Sequence, residues 1–194
     1  MIEAEQADFV ALAEQLTPDQ WHAPTSCDGW SAFDVVHHVA LHTHRSVREL
    51  VQGSQRQAAR RGCDTPAKVA ELLAAPVQAQ LGWEMRLQLA ELLIHQQDVR
   101  RAVGLARHIP SERLTVVLTS VRTRWVGLLA GVGARQRCAG LHLVADDIGW
   151  SFGAGAEVHG AGEPLLMAMS GRPLSNDLSG DGVPVFSARC ISRR

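Results

Sequence analysis

The sequence predicts a mainly helical, α+β protein: a four-helix bundle over residues 1–108, then a small α/β domain over residues 109–194. Three observations predict it. Apolar residues recur at helical spacing in four segments of the first half, joined by short connections. After His108-Ile109-Pro110 the pattern changes to short alternating runs separated by glycine. The length, 194 residues, suits one large domain or two small ones, since domains run to roughly 100–150 residues.

Each element has its own signal. Phe9, Val10, Leu12, Ala13 and Leu16 put a helix over about residues 3–16. Thr17-Pro18-Asp19 stops it and starts another, because proline is tolerated only in a first turn. Residues 22–30 are rich in turn formers and read as a loop. Ser31, with Asp34 three residues on, is a capping-box start for a second long helix over Ala32 to Gln52. Residues 53–66 are a polar connection. Thr65-Pro66 opens a third helix over 66–75, bounded by Pro76. The fourth runs from Trp83 to Val103 and ends at Gly104. In the second half, Ser111 is expected to cap a helix over 112–129 that ends at Gly131. Strands are expected at Leu141–Val144, Trp150–Phe152 and Glu157–His159. A short helix should cover Pro164–Met169, and the stretch Leu174–Phe186 should return as a strand.

Composition excludes several functions. The net charge is -1, and arginines are scattered apart from doublets such as Arg60/Arg61 and Arg100/Arg101. Nucleic-acid binding needs clustered positive charge, so it is not expected. No apolar run approaches the roughly 18 residues of a membrane span. Cys27, Cys63, Cys138 and Cys190 are widely spaced, which excludes a Cys-x-x-Cys zinc knuckle. The N-terminal residues have neither a basic region nor an apolar one of signal-peptide type, so a cytoplasmic protein with reduced thiols is expected. Lys68 is the single lysine, a usage typical of GC-rich bacterial genomes, and the absence of tyrosine excludes a tyrosyl proton donor.

Five of the nine histidines fall in two helices. His37, His38, His42 and His44 lie on the second long helix, and His95 on the fourth, one turn after Glu91. Residues four apart share a helix face, so Glu91 and His95 can reach one ion. A third donor from the neighbouring helix would leave a position open for water or substrate, as in catalytic zinc sites. Glu84, Glu91, His95 and Asp98 form a polar stripe on an otherwise apolar helix, which is either a solvated face or a site. Spacing leaves His38 and His42 tied as the third donor. His37 and His44 are expected to be exposed. Cys27 lies in the loop before the second long helix, with no base or orienting group identifiable for nucleophilic chemistry.

Three segments together resemble the mycothiol-dependent maleylpyruvate isomerase family. They are Pro24-Thr25-Ser26-Cys27-Asp28-Gly29-Trp30-Ser31 with Asp34-Val35-Val36-His37-His38-Val39; Glu91-Leu92-Leu93-Ile94-His95-Gln96-Gln97-Asp98 through Gly104; and Gly149-Trp150-Ser151-Phe152-Gly153 with Leu165-Leu166 and Ser170-Gly171-Arg172-Pro173. The resemblance implies a DinB-like metal-binding four-helix bundle with a C-terminal domain of sterol-carrier-like α/β type. It selects His38 over His42 and implies His38, Glu91 and His95 as metal ligands, zinc first among divalent ions. It implies outer supporting or capping roles for Asp34 and Asp98. It makes Arg172 a candidate for binding an anionic substrate or the thiol cofactor, beside its plain alternative as a helix-end arginine bound to carbonyls.

The function implied is that of a metal-dependent enzyme using mycothiol as thiol cofactor or co-substrate, as an isomerase or a mycothiol S-transferase acting on a small electrophile. The alternative class is a non-catalytic metal- or small-molecule-binding protein of the DinB type. The expected partners are the low-molecular-weight thiol and a small-molecule substrate, with no nucleic acid and no membrane, in a monomer or homodimer.

Overall fold

The computed structural model describes residues 1–43, 65–77, 82–129, 133–174 and 176–191. The chain divides into two compact units, Met1–Arg107 and His108–Arg194.

In the first unit, α1 (Ile2–Gln15) is followed at once by the one-turn α2 (Pro18–Trp21). Thr17 caps α2 in a full capping box: its hydroxyl accepts from the Gln20 amide, and the Gln20 side chain accepts from the Thr17 amide. Residues 23–31 then close on themselves. Ala32 N–H donates to Ala23, Thr25 N–H to Trp30, and Trp30 N–H to Cys27, all at 2.9 Å. The turn over Cys27–Trp30 needs a left-handed residue at its third position, and Gly29 supplies it with φ 70°. Helix α3 (Ala32–His42) starts on the expected box, with the Asp34 carboxylate accepting from the Ser31 amide at 3.0 Å and its hydroxyl at 2.7 Å. The expected continuation to Gln52, with His44, lies outside the described residues.

Helix α4 (Pro66–Ala74) starts at the Thr65 cap and ends where Ala75 turns extended before Pro76, since the residue preceding a proline is pushed out of the helical region. Helix α5 (Gly82–Val103) ends in a glycine cap: Gly104 has φ 71°, and Leu105 N–H donates to the Arg100 carbonyl at 2.9 Å. Helices α1 and α3 each pack against both α4 and α5, so they stand at opposite corners of the bundle. Phe9, Leu12, Val35, Val36, Val39, Leu73, Leu92 and Val99 fill the centre. Gln6 ties α1 to the end of α4 by donating to the Leu73 and Ala75 carbonyls at 2.6 Å. Because α3 is covered from two sides, His37 is only 3% exposed and lies against Phe33, which corrects the expectation that it faces solvent.

In the second unit, the helix expected over 112–129 is two helices, α6 (Ser111–Val121) and α7 (Arg124–Leu129). Thr123 causes the break. Its amide and its hydroxyl both donate to the Ser120 carbonyl, at 2.9 and 2.7 Å, and so divert it from the helical ladder. The second helix then folds back so closely that a Cβ on Gly127 would sit 2.4 Å from the Val121 carbonyl oxygen. Pro110, not Ser111, occupies the N-cap, because its carbonyl accepts the first helical bonds from Arg113 and Leu114. The expected end at Gly131 lies outside the described residues.

A turn of helix, α8 (Ala134–Arg137), leads into a three-stranded sheet of order β2-β1-β3. Strand β1 (Leu141–Ala145) pairs antiparallel with β2 (Trp150–Gly153) and parallel with β3 (Ala156–Gly160). Leu141, Leu143, Ala145 and Val158 make the buried face. His142, Glu157 and His159 fall on the other face, as the two-residue period requires. Helix α9 (Gly162–Met169) packs on β1 and α6, with its first amide held by Asp147 at 2.8 Å. The strand expected over Leu174–Phe186 is instead a loop and a helix, α10 (Val183–Ile191). Among the described residues of that stretch, one antiparallel bridge, His159 to Ser179, remains of the strand. Gly182 N–H donates to the Glu157 carbonyl at 2.8 Å, and Pro184 falls in the first turn of α10, where its missing N–H costs nothing.

Candidate metal centre

Three side chains meet between α3 and α5. His38 Nε2 lies 3.2 Å from Glu91 Oε2, and His95 Nε2 lies 3.3 Å from the same oxygen. The three donor atoms all fall within 4.8 Å of one another. Glu91 and His95 are one turn apart on α5, and His38 faces them from α3. The two imidazoles meet edge to face with centroids 5.0 Å apart, and Trp30 packs edge to face on His38 at 5.0 Å. Glu91 is 4% exposed, and the His38 and His95 side chains are mostly buried.

The donor set fits a divalent ion. Zinc bonds of about 2.0–2.1 Å at tetrahedral angles separate neighbouring donors by about 3.3 Å, the spacing on both sides of Glu91. Two imidazoles and a carboxylate also suit other first-row divalent metals.

The electrostatics are uneven. Burial pushes the Glu91 carboxyl up, but His42, His38 and His95 around it outweigh that and hold it well below the usual carboxylate range. Burial pushes His95 down, but hydrogen bonds to Asp98, Cys27 and Glu91 lift it well above the ordinary imidazole value. Burial dominates at His38 and leaves it below that value, despite its bond to Glu91. These shifts push Glu91 toward its ionised form, His38 toward neutral and His95 toward its protonated form. A metal held here would have to displace the His95 proton.

A second ring of contacts surrounds His95. Its Nδ1–H donates to Asp98 Oδ2 at 3.0 Å, which leaves Nε2 for the centre. Asp98 is fully buried. The Cys27 thiol donates to the same oxygen at 3.1 Å, and its sulfur lies 3.7 Å from His95 Nδ1. Cys27, His95 and Asp98 form another group of convergent donors, sharing the imidazole through its other nitrogen.

Of the residues singled out from the sequence, His38, Glu91 and His95 come together. His42 does not join their donor set. It is buried one turn along α3, with Nδ1 3.4 Å from Gln88 Oε1, and its carbonyl accepts from the Gln88 amide at 3.2 Å. Asp34 caps α3. Arg172 belongs to the other unit, where Nη1 donates to the Ser170 carbonyl at 2.9 Å. It follows a glycine cap on α9 in which Gly171 has φ 85° and Arg172 N–H donates to Met167. Sequence reasoning did not join Cys27 to Asp98 and His95, because 71 and 68 residues separate them and only the folded loop brings the thiol back to α5.

Residues 2–83 match the family model described as the mycothiol maleylpyruvate isomerase N-terminal domain, a segment that contains Cys27 and His38 but ends before Glu91. The match bears out the family resemblance read from the motifs. Among solved structures, the chain is similar to a mycothiol-dependent maleylpyruvate isomerase, with 14% identity, a TM-score of 0.61, and coverage of 93% of this chain and 90% of that one. It is similar also to a histidine-to-alanine mutant of such an isomerase, with 12% identity, a TM-score of 0.60 and the same coverage. These likenesses bear out the expected fold class, a helical N-terminal domain with a small α/β domain. No curated protein matches the chain. Among the described residues, no helix is long and apolar enough to cross a membrane.

Proposed function

We propose that this protein is a divalent-metal enzyme, with zinc the first candidate, that uses mycothiol to act on a small electrophile. The observation that carries the proposal is the meeting of His38 and His95 on a single Glu91 oxygen inside the bundle, with His38 in the segment that matches the isomerase family's N-terminal domain. His38, Glu91 and His95 would hold three positions on the ion, and Asp98 would keep the His95 Nδ1 proton so that Nε2 points inward. A bound divalent ion supplies charge that keeps a thiol of ordinary pKa about 8.5 as its nucleophilic thiolate at neutral pH. The ionised Glu91 lowers the charge of the loaded centre, and Trp30 against His38 supplies an apolar wall. The reaction class is cis–trans isomerisation by reversible thiol addition and elimination, or conjugation of the whole thiol through its sulfur to an electrophilic carbon, the thiol proton passing to the adduct or leaving with the displaced group. Arg172 is our candidate for an anionic group of substrate or thiol.

Metal analysis of the wild type beside His38→Ala and His95→Ala tests the ligand set, and calorimetric titration of mycothiol into zinc-loaded protein tests the thiol. The expected result is close to one equivalent of zinc in the wild type, loss in both variants, and mycothiol binding that needs the metal. Full occupancy in both variants would contradict the site. Stoichiometric zinc with neither thiol binding nor thiol-dependent turnover would favour a non-catalytic binding protein.

A further inference from the structure

The loop before α3 bears one side chain that the proposed chemistry does not use. Cys27 is half-buried, and its thiol donates to Asp98 Oδ2 at 3.1 Å. Asp98 Oδ2 is also the acceptor for His95 Nδ1–H at 3.0 Å. One carboxylate oxygen thus receives two donors, one from a helix residue and one from a loop. The loop is itself built for this: the Cys27 carbonyl accepts from Trp30 N–H at 2.9 Å, and the Cys27 amide donates to Thr25 Oγ1 at 3.2 Å. The same turn places Trp30 on His38. Cys27 therefore connects the segment that shapes one histidine to the carboxylate that orients the other.

We infer that Cys27 is a positioning residue: its thiol donates to Asp98, fixes that carboxylate against His95 Nδ1, and thereby holds His95 Nε2 aimed at the metal. The inference rests on reading His38, Glu91 and His95 as metal ligands. Cys27 acts here as a neutral donor and not as a nucleophile or ligand. The geometry is that of a donor: Asp98 Oδ2 accepts from the thiol at 3.1 Å, as it would from a hydroxyl. Groups behind metal-ligating histidines commonly change metal affinity by about 10–100-fold when lost.

The test measures zinc affinity of the full chain by competition with a chromophoric chelator. Cys27→Val keeps the volume and loses the donor, and Cys27→Ser keeps a donor. The inference predicts about tenfold weaker binding for Cys27→Val. It predicts recovery to within about threefold of the wild type for Cys27→Ser, because a hydroxyl can serve Asp98 as the thiol does. In an Asp98→Asn background, where the carboxylate is already gone, Cys27→Val should cost less than about threefold more, since residues acting through one partner are not additive. Cobalt-loaded wild type should show no thiolate-to-metal charge-transfer band. Wild-type affinity in Cys27→Val, equal losses in the Val and Ser variants, or a charge-transfer band that vanishes with Cys27 would each overturn the inference while leaving the ligand set standing. A wild type that binds neither zinc nor cobalt would overturn the ligand set and the inference with it.

Discussion

Two places in this molecule bring a pair of histidines against carboxylates, and their surroundings set them apart. Between α3 and α5, His38 and His95 converge on one oxygen of a buried Glu91. On the open face of the sheet, His142 contacts Glu157 at 3.4 Å, while His159 contacts Glu157 at 3.0 Å and Asp146 at 3.3 Å. Residue types and distances are alike. On the sheet, however, His142 and His159 reach different oxygens of Glu157, and His159 uses its two nitrogens on two carboxylates. No common point gathers these donors, and the group is exposed to water that screens it. In the bundle, burial makes every uncompensated charge costly, so the arrangement holds charge in one fixed pattern. Convergence and burial, more than histidine count, separate a candidate centre from a surface cluster.

That contrast breaks most readily on single substitutions. His38→Ala or His95→Ala should weaken zinc binding by at least about 100-fold, since each removes one of three ligands. His142→Ala and His159→Ala should leave zinc content at the wild-type level. Metal analysis of the four variants decides it, and equal losses in both pairs would erase the distinction.

The pH dependence is the next largest effect. His95 is held protonated above its ordinary value of about 6.5, and a metal must displace that proton. Below the raised value, zinc affinity should therefore fall about tenfold for each unit of acidification, measured by chelator competition. In the metal-free protein the same two shifts make stability depend on pH in opposite senses. The stabilisation from His95 is complete below about pH 6.5 and is lost as pH rises through its raised value. That from Glu91 is complete above the ordinary carboxylate range and is lost as pH falls through its depressed value. His159 and Glu157 are shifted in the same directions, each chiefly by the bond between them. Being exposed, they should lose their effect in moderate salt, whereas the bundle pair should not.

Chelation should come third. At free zinc about 100-fold above Kd, binding stabilises the native state by about 2.7 kcal/mol, so a strong chelator should lower the unfolding midpoint by an amount on the order of 10 °C. Calorimetry of wild type and His95→Ala reads this, and the variant should not respond to the chelator. The smallest effect on the metal is expected from Arg172→Ala. It should leave zinc content unchanged and raise KM for an anionic substrate or mycothiol several-fold, whereas an unchanged KM would leave Arg172 as the helix-end residue that its bond to Ser170 describes.

Much of the bundle was legible in the sequence because its signals are local. The Thr17, Ser31 and Thr65 caps, the Pro76 stop and the Gly104 end each depend on a few neighbouring residues. The α6–α7 break was not legible, because it depends on which way the Thr123 hydroxyl turns and on how closely Gly127 approaches Val121. Helix α10 was not legible, because the glycine- and proline-rich stretch before it carries no helical period, and its start depends on Gly182 bonding to the distant Glu157 carbonyl. At the candidate site, the Glu91/His95 pair followed from helix periodicity alone. His38 and His42 were tied by spacing, and packing separates them: His42 turns to Gln88, while His38 turns to Glu91. The burial of His37 and the thiol of Cys27 against Asp98 depend on packing between distant segments, which periodicity does not encode.

The most direct measurement is anomalous X-ray diffraction at the zinc edge from crystals grown with one equivalent of zinc. The account predicts a single strong peak within about 2.0–2.2 Å of His38 Nε2, His95 Nε2 and a Glu91 oxygen. A peak among His142, Glu157 and His159 instead, or none between α3 and α5, would contradict it.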